Sequence, residues 1–262
     1  MRENRLKTLW AQDKPALGGW LVLPSNISAE YMARAGFDWL CVDMQHGSID
    51  YQVALSMLQA ISTTDTVPVV RVPWNEPGII MKTLDGGAYG VIVPMVNSRA
   101  EAEAAIGACR YAPAGYRSYG PGRAVLYAGP DYFPNANATV LCICMLETRE
   151  AIARADEIIS TPGLDAIFIG PSDLSVSLGL PPSYDQEAVE FTEALDKVLA
   201  ACKKHGVVAG AFCGNASVAK KRIGQGFRLV QVADDAGSMV RTAAAALGEV
   251  RAGTGAAPET AA

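Results

Sequence analysis

Residues 39–48 read WLCVDMQHGS, an apolar run that ends in Asp43, Gln45 and His46. Uninterrupted apolar character without alternation is how a strand covered on both faces reads, as in a parallel sheet. Seven further runs of this kind lie on either side, at 17–23, 67–72, 90–96, 140–147, 166–170, 207–212 and 229–233. Helical patterns separate them, among them SAEYMARAG (28–36), PGIIMKTLDGG (77–87), RAEAEAAIGACRY (99–111) and EAVEFTEALDKVLAACKKHG (187–206). Several close on glycine, the usual residue just past a helix C-terminus. Eight strand–helix units in about 250 residues predict an α/β protein of the (β/α)8 TIM-barrel type. A doubly wound open sheet is the alternative, but it usually carries fewer strands.

The barrel is expected to occupy residues 1–252 as one catalytic domain, with 253–262 as a flexible C-terminal tail. One stretch breaks the alternation. Residues 112–138 show no clear period and are rich in Gly, Pro and Tyr. Long irregular segments are uncommon and usually functional, so this one is expected to be an ordered loop against the mouth of the barrel or another subunit.

Composition removes several classes of function. The net charge is −5 and no basic stripe occurs, so there is no footprint for nucleic acid. No segment reaches the roughly 20 apolar residues of a membrane span, and the first residues are charged where a signal peptide is apolar. The cysteines at 41, 109, 142, 144, 202 and 213 form no CxxC pair. Reduced thiols in a cytoplasmic protein are the expectation.

In a (β/α)8 barrel, chemistry sits at the C-terminal ends of the strands. The second strand ends in Asp43, Gln45 and His46, and the third contains Arg71. The fifth ends in Glu147, and the sixth runs into GPSD, Gly170 to Asp173. Taken singly, each has a bland reading: Glu147 as a helix cap, Arg71 as a structural ion-pair partner. Gathered at one edge, one Arg, one His and several carboxylates point to a site. His205, in KKHG, suits a helix C-terminus and is read as structural.

Glu147 and Asp173, on neighbouring strands, are hard oxygen ligands of the kind Mg2+ takes, with water and substrate completing the shell. A 2-oxo acid fits such a half-filled shell, and the N–H groups that open the GPSD helix favour its carboxylate. The lysines, at 7, 14, 82, 197, 203, 204, 220 and 221, all fall outside strand ends. A Schiff-base aldolase needs a lysine projecting into the barrel, so the metal route is favoured.

Together FDWLCVDMQHG, VPVVRVPWNEP, GVIVPMVNSRAEAE, RYAPAGYRS, LETREAI and IFIGPSDLSVSLG resemble the HpcH/HpaI family of class II pyruvate aldolases over about residues 10–250. The resemblance implies a (β/α)8 barrel, a divalent metal such as Mg2+, Mn2+ or Co2+, and a homohexamer built from dimers. It places the metal ligands on Glu147 and Asp173, the catalytic histidine on His46 and the pyruvate-binding arginine on Arg71. Asp43 is the carboxylate near His46, expected to help fix its tautomer, and Asp85 is a further dyad candidate. Gly170, Pro171, Ser172, Trp20 and Phe212 are expected to face the substrate. The chain departs from the family pattern at Gln45, where many members carry Glu, at Met145, where some carry Gln, and at Phe212, where an aliphatic residue is familiar.

The expected reaction is reversible aldol cleavage of a 4-hydroxy-2-oxo acid, through a metal-bound enolate, to an aldehyde and pyruvate or a related 2-oxo acid such as hydroxypyruvate. Two rivals are a citrate-lyase-type CoA-thioester lyase and a non-catalytic metabolite-binding barrel.

Overall fold

In the computed structural model, which describes residues 1–254, eight parallel strands close into a barrel in sequential order. They are β1 (Ala16–Leu21), β2 (Trp39–Asp43), β3 (Val67–Arg71) and β4 (Gly90–Val93), followed by β5 (Leu141–Met145), β6 (Ala166–Ile169), β7 (Val208–Ala211) and β8 (Leu229–Asp234). Each observed strand falls within or a residue or so beyond its expected run. The extra residues of those runs, such as Met44, Glu147 and Phe212, stand just past the strand ends, where the chain turns over the mouth.

Large side chains fill the barrel interior because small ones face them. The rings of Trp20, Trp39 and Phe168 pack pairwise at 5.6–6.2 Å between centroids. A Cβ on Gly18 would come within 2.0 Å of the Trp39 ring, and one on Gly210 within 2.6 Å of Phe168. Full burial of each ring is worth about 2–3 kcal/mol, and the glycines make room for it. Below this layer the helix Arg5–Ala11 closes the N-terminal end of the barrel, with Trp10 Nε1 donating to the Arg228 carbonyl at 3.0 Å.

Side-chain caps start many of the outer helices. Ser25, Asp50, Glu76, Ser98, Thr148 and Asn215 each accept a hydrogen bond from an N–H of the first turn. Thr148, not Glu147, is the cap after β5, which leaves Glu147 free for other work. His205 ends the helix Val189–His205, with Nε2 at 2.9 Å from Asp156, as a structural residue should.

Two expectations change. Residues 112–138 are not an irregular loop throughout: they contain the helix Gly122–Ala128 and most of the helix Tyr132–Thr139. These are too short for a 3.6-residue stripe to stand out; the first is tied to the end of the helix Pro77–Asp85 by Arg123, which donates to the Gly86 carbonyl at 2.7 Å, and the second packs on a buried hub. In that hub Arg117 donates to the Tyr132 hydroxyl at 2.9 Å and to Asp85 at 2.7 Å, and its guanidinium lies over the Tyr111 ring. The segment is thus anchored on the flank of its own barrel. The last helix, Asp235–Thr254, runs across the expected domain boundary at 252, and the remainder of the expected tail lies outside the described residues. From Met239 onward this helix is mostly exposed, including the apolar Met239, Val240, Leu247 and Val250.

Candidate active site

Asp43 and Arg71 are partners across the β2–β3 ladder. Arg71 Nε and Nη2 donate to the two Asp43 carboxylate oxygens at 2.8 and 2.5 Å, a bidentate pair. Trp20 Nε1 donates to the same carboxylate at 3.0 Å, and the Trp20 ring lies 5.0 Å from the guanidinium carbon. The backbone N–H groups of Gln45 and His46 also turn back onto Asp43 Oδ1, at 3.0 and 3.3 Å. Burial pushes the Asp43 carboxyl up, but the Arg71 and Trp20 hydrogen bonds outweigh it and hold the group below the ordinary aspartate range. Arg71 is therefore fixed on two sides, with Nη1 meeting only the weak acceptor Met145 Sδ at 4.0 Å. Arg71 also lines the mouth pocket.

The expectation that Asp43 fixes the tautomer of His46 is corrected by this geometry. The carboxylate is taken up by Arg71, Trp20 and the backbone, and its link to His46 is the backbone N–H. Asp43 positions Arg71 and shapes the β2 turn. The His46 ring lines the mouth and is exposed, with no side-chain hydrogen bond among the described residues.

Asp85 does not join these groups within the chain. It ends the helix Pro77–Asp85, which runs back from the mouth, and it pairs with Arg117 on the barrel flank. Burial raises its carboxyl above the ordinary range despite that partner.

Glu147 stands just beyond β5, only 2% exposed. One of its oxygens accepts the Met95 N–H at 2.8 Å, and the other makes no hydrogen bond among the described residues. Burial pushes its pKa up to about 7, the Met95 bond opposes this, and the nearby Asp173 charge adds to it. Met95 holds a left-handed backbone, φ 56°, which a non-glycine residue adopts at a cost. That conformation aims its N–H at Glu147. A Cβ on Gly170 would come within 2.2 Å of Glu147 Oε2, so the glycine is what admits the carboxylate.

Two adjacent carboxylates, one buried with an oxygen free of donors, are poorly compensated as they stand, and a divalent cation matches that donor set. Among the described residues no group of three or more His, Cys, Asp or Glu side chains gathers to hold a metal. Glu147 and Asp173 are the two carboxylates that would hold such a cation, with water and substrate supplying the rest.

The mouth pocket has a cavity volume of about 130 Å3 and opens to solvent. Trp20, His46, Arg71, Gly170, Pro171, Ser172, Asp173 and Phe212 line it, together with Met145 and Tyr184, while Asp43 and Glu147 lie behind the lining. Tyr184 and Met95 were not legible. Tyr184 lies on a connecting segment far from any strand end, and nothing in residue type marks the backbone of Met95. Gln231 was also missed, although a lone polar residue inside the run LVQVA was a signal for it. Buried in β8, it accepts the N–H groups of Cys213 and Gly214 at 3.0 and 2.8 Å.

A barrel with this set of groups at its C-terminal rim defines a class of metal-assisted enzymes acting on oxo acids. The model of the HpcH/HpaI aldolase/citrate lyase family matches residues 17–242, and the chain belongs to that family. It is 42% identical to a hydroxypyruvate/pyruvate aldolase of Rhizorhabdus wittichii, over 95% of this chain and 99% of the relative. It is 37% identical to a 4-hydroxy-2-oxo-heptane-1,7-dioate aldolase of Escherichia coli, over 93% of each chain. A solved HpcH/HpaI aldolase/citrate lyase family protein from Burkholderia cenocepacia superposes with a TM-score of 0.88 at 36% identity, covering 95% of this chain and 99% of that one.

Proposed function

We propose that the protein reversibly cleaves 4-hydroxy-2-oxo acids to an aldehyde and pyruvate, or a related 2-oxo acid such as hydroxypyruvate. It is an enzyme of the class II aldolase type, a carbon–carbon lyase. The observation that carries this reading is the fixed guanidinium of Arg71 in a small pocket that Asp173 also lines, with the buried Glu147 carboxylate close to both. When bound by Glu147 and Asp173, a divalent cation supplies Lewis-acid polarisation of the 2-oxo acid.

The remaining work falls to the chain itself. Arg71, already held by Asp43 and Trp20, binds the oxo acid through its open edge and stabilises the negative charge that develops on the enolate oxygen. The helix Pro171–Ser177 has no side-chain cap, so the N–H groups of its first turn are open to the substrate carboxylate. His46, on the solvent side of the pocket, takes the 4-hydroxyl proton in cleavage and returns it in synthesis.

Mg2+, Mn2+ and Co2+ are the candidate cations, because each takes oxygen ligands at a partly filled site. The protein acts as a homohexamer in this reading. The apolar residues Met239, Val240, Leu247 and Val250 of the helix Asp235–Thr254 are exposed among the described residues, and Tyr119 and Phe133, both exposed, adjoin the Asp85 hub. Asp85 then serves catalysis at the mouth of a second copy. Six buried free cysteines suit a cytoplasmic protein, and no helix among the described residues is long and apolar enough to cross a membrane.

A CoA-thioester lyase would need cations at the rim for the nucleotide, and the pocket lining offers only Arg71 and His46. The test is oxaloacetate decarboxylation measured beside pyruvate–aldehyde addition. An aldolase performs both, and a binding protein performs neither.

A further inference from the structure

Going round the barrel, the mouth divides in two. The end of β3 and positions after β2 and β6 contribute Arg71, His46, Ser172 and Asp173, which are polar and suit an oxo acid. The β7–β1 side contributes Phe212 and Trp20, whose rings meet edge-on at 5.4 Å. Tyr184 extends this aromatic side from outside the barrel. Its ring centroid is 5.2 Å from that of Phe212, and it lines the pocket although its backbone lies in the segment between the helices Pro171–Ser177 and Val189–His205.

That position is built. A Cβ on Gly214 would come within 2.5 Å of the Tyr184 ring, so the ring seats on bare backbone there. Gly214 also has φ 71°, which favours glycine, and its N–H is held by the buried Gln231. On the other side Asp185 clamps the segment to the helix Ala216–Gln225, with Lys221 Nζ at 2.7 Å and Arg222 Nη2 at 3.8 Å. Arg222 is almost wholly buried and its Nη2 has no hydrogen-bond partner among the described residues. Leaving such a group unpaired is costly, so Asp185 has a standing electrostatic reason to stay close.

We propose that Tyr184 is a specificity-determining residue for the acceptor aldehyde: held between Gly214 and the Asp185 clamp, its ring completes the apolar wall that takes the aldehyde's carbon chain. The inference rests on the aldolase reading above and names the substrate class within it. The favoured acceptors are neutral aldehydes with apolar chains, because the residues that line the pocket on the β7–β1 side, Trp20, Phe212 and Tyr184, are all aromatic, and the nearby Lys221 and Arg222 are taken up by Asp185.

The test compares kcat/KM for addition of pyruvate to hexanal and to glycolaldehyde, with oxaloacetate decarboxylation measured alongside. Tyr184→Ala should lower the hexanal-to-glycolaldehyde ratio about tenfold, the scale of lost apolar contact in a substrate pocket. The loss with hexanal should also exceed any loss in decarboxylation by a similar factor. Tyr184→Phe keeps the ring and should restore the ratio, while Asp185→Asn, which loosens the clamp, should fall between the two. Tyr184 is half-exposed, so thermal melting should confirm a folded Ala variant. An unchanged ratio in Tyr184→Ala, or an equal loss in decarboxylation, overturns the assignment. If the unaltered protein shows neither decarboxylation nor addition, the aldolase reading itself has failed. If it shows both while the ratio holds in Tyr184→Ala, only the role of Tyr184 is lost.

Discussion

Asp43 and Arg71 face each other across the β2–β3 ladder, and both carboxylate oxygens are engaged by one guanidinium, at 2.8 and 2.5 Å. The pair is at once the most buried ion pair of the mouth and the anchor of the proposed oxo-acid site. Replacing Asp43 by Asn leaves Arg71 buried without its counter-charge, which should cost about 3–5 kcal/mol and lower activity as well. The pH dependence follows from the depressed Asp43 carboxyl. A group whose folded pKa lies below its unfolded value stabilises the protein above the unfolded pKa, and this is lost as pH falls through the folded one. Denaturant unfolding of both proteins between neutral and acid pH checks this: the gap between them should narrow toward low pH. A constant gap would show that the charge of Asp43 is not what matters.

Arg71→Lys tests the same pair from the other side. The charge stays, but the planar fork that holds Asp43 and the open edge for substrate are lost. Activity should fall by about a hundredfold or more, the scale of losing one preorganised donor to developing charge, with a smaller change in melting temperature than for Asp43→Asn. Steady-state kinetics and calorimetry give both numbers. Near-normal kcat/KM in a folded Lys variant would restrict Arg71 to a structural role.

His46→Ala should slow aldol turnover by about a hundred- to ten-thousandfold, the range for one acid–base group. Stability should hardly change, because the ring is exposed and makes no side-chain hydrogen bond among the described residues. Cation affinity should survive too. Full turnover in this variant would remove His46 from the proton path.

Gly170→Ala addresses the carboxylate seat. The backbone there, φ −90°, suits any residue, so the effect should come from the Cβ that would sit 2.2 Å from Glu147 Oε2. Glu147 must then move, and Mn2+ affinity measured by titration calorimetry should drop with the fold intact. Unaltered affinity would mean that Glu147 does not hold the cation from this position.

Chelation and trapping separate the two ways of stabilising a carbanion. No lysine lines the mouth pocket. EDTA should therefore abolish aldol cleavage and Mg2+, Mn2+ or Co2+ restore it, while borohydride added with pyruvate should leave no adduct by mass spectrometry. Trapping of a lysine together with indifference to EDTA would sink the metal reading.

The barrel was legible in the linear order of residues because each strand is covered on both faces, which demands an apolar run whatever its neighbours are. The polar residues ending those runs marked the mouth for the same reason: an Asp, Glu or Arg beside such a run is tolerated only where it is paired or reaches water. His46, Arg71, Glu147 and Asp173 could thus be picked out by position alone, and the family motifs assigned them roles. Closure of the barrel decided what they touch. Register set Asp43 against Arg71, whose guanidinium engages both of its carboxylate oxygens. The run of the helix Pro77–Asp85 away from the mouth carried Asp85 to the flank and into the hub of Arg117. Two short helices replaced the expected loop because what holds them lies outside their own spans: the Gly86 carbonyl for Arg123 and the Arg117 guanidinium for Tyr132. Met95, Gly170 and Tyr184 owe their places to a backbone angle, a missing Cβ and a ring seated on glycine. These depend on distances between segments far apart in the chain, which no local pattern of residue types encodes.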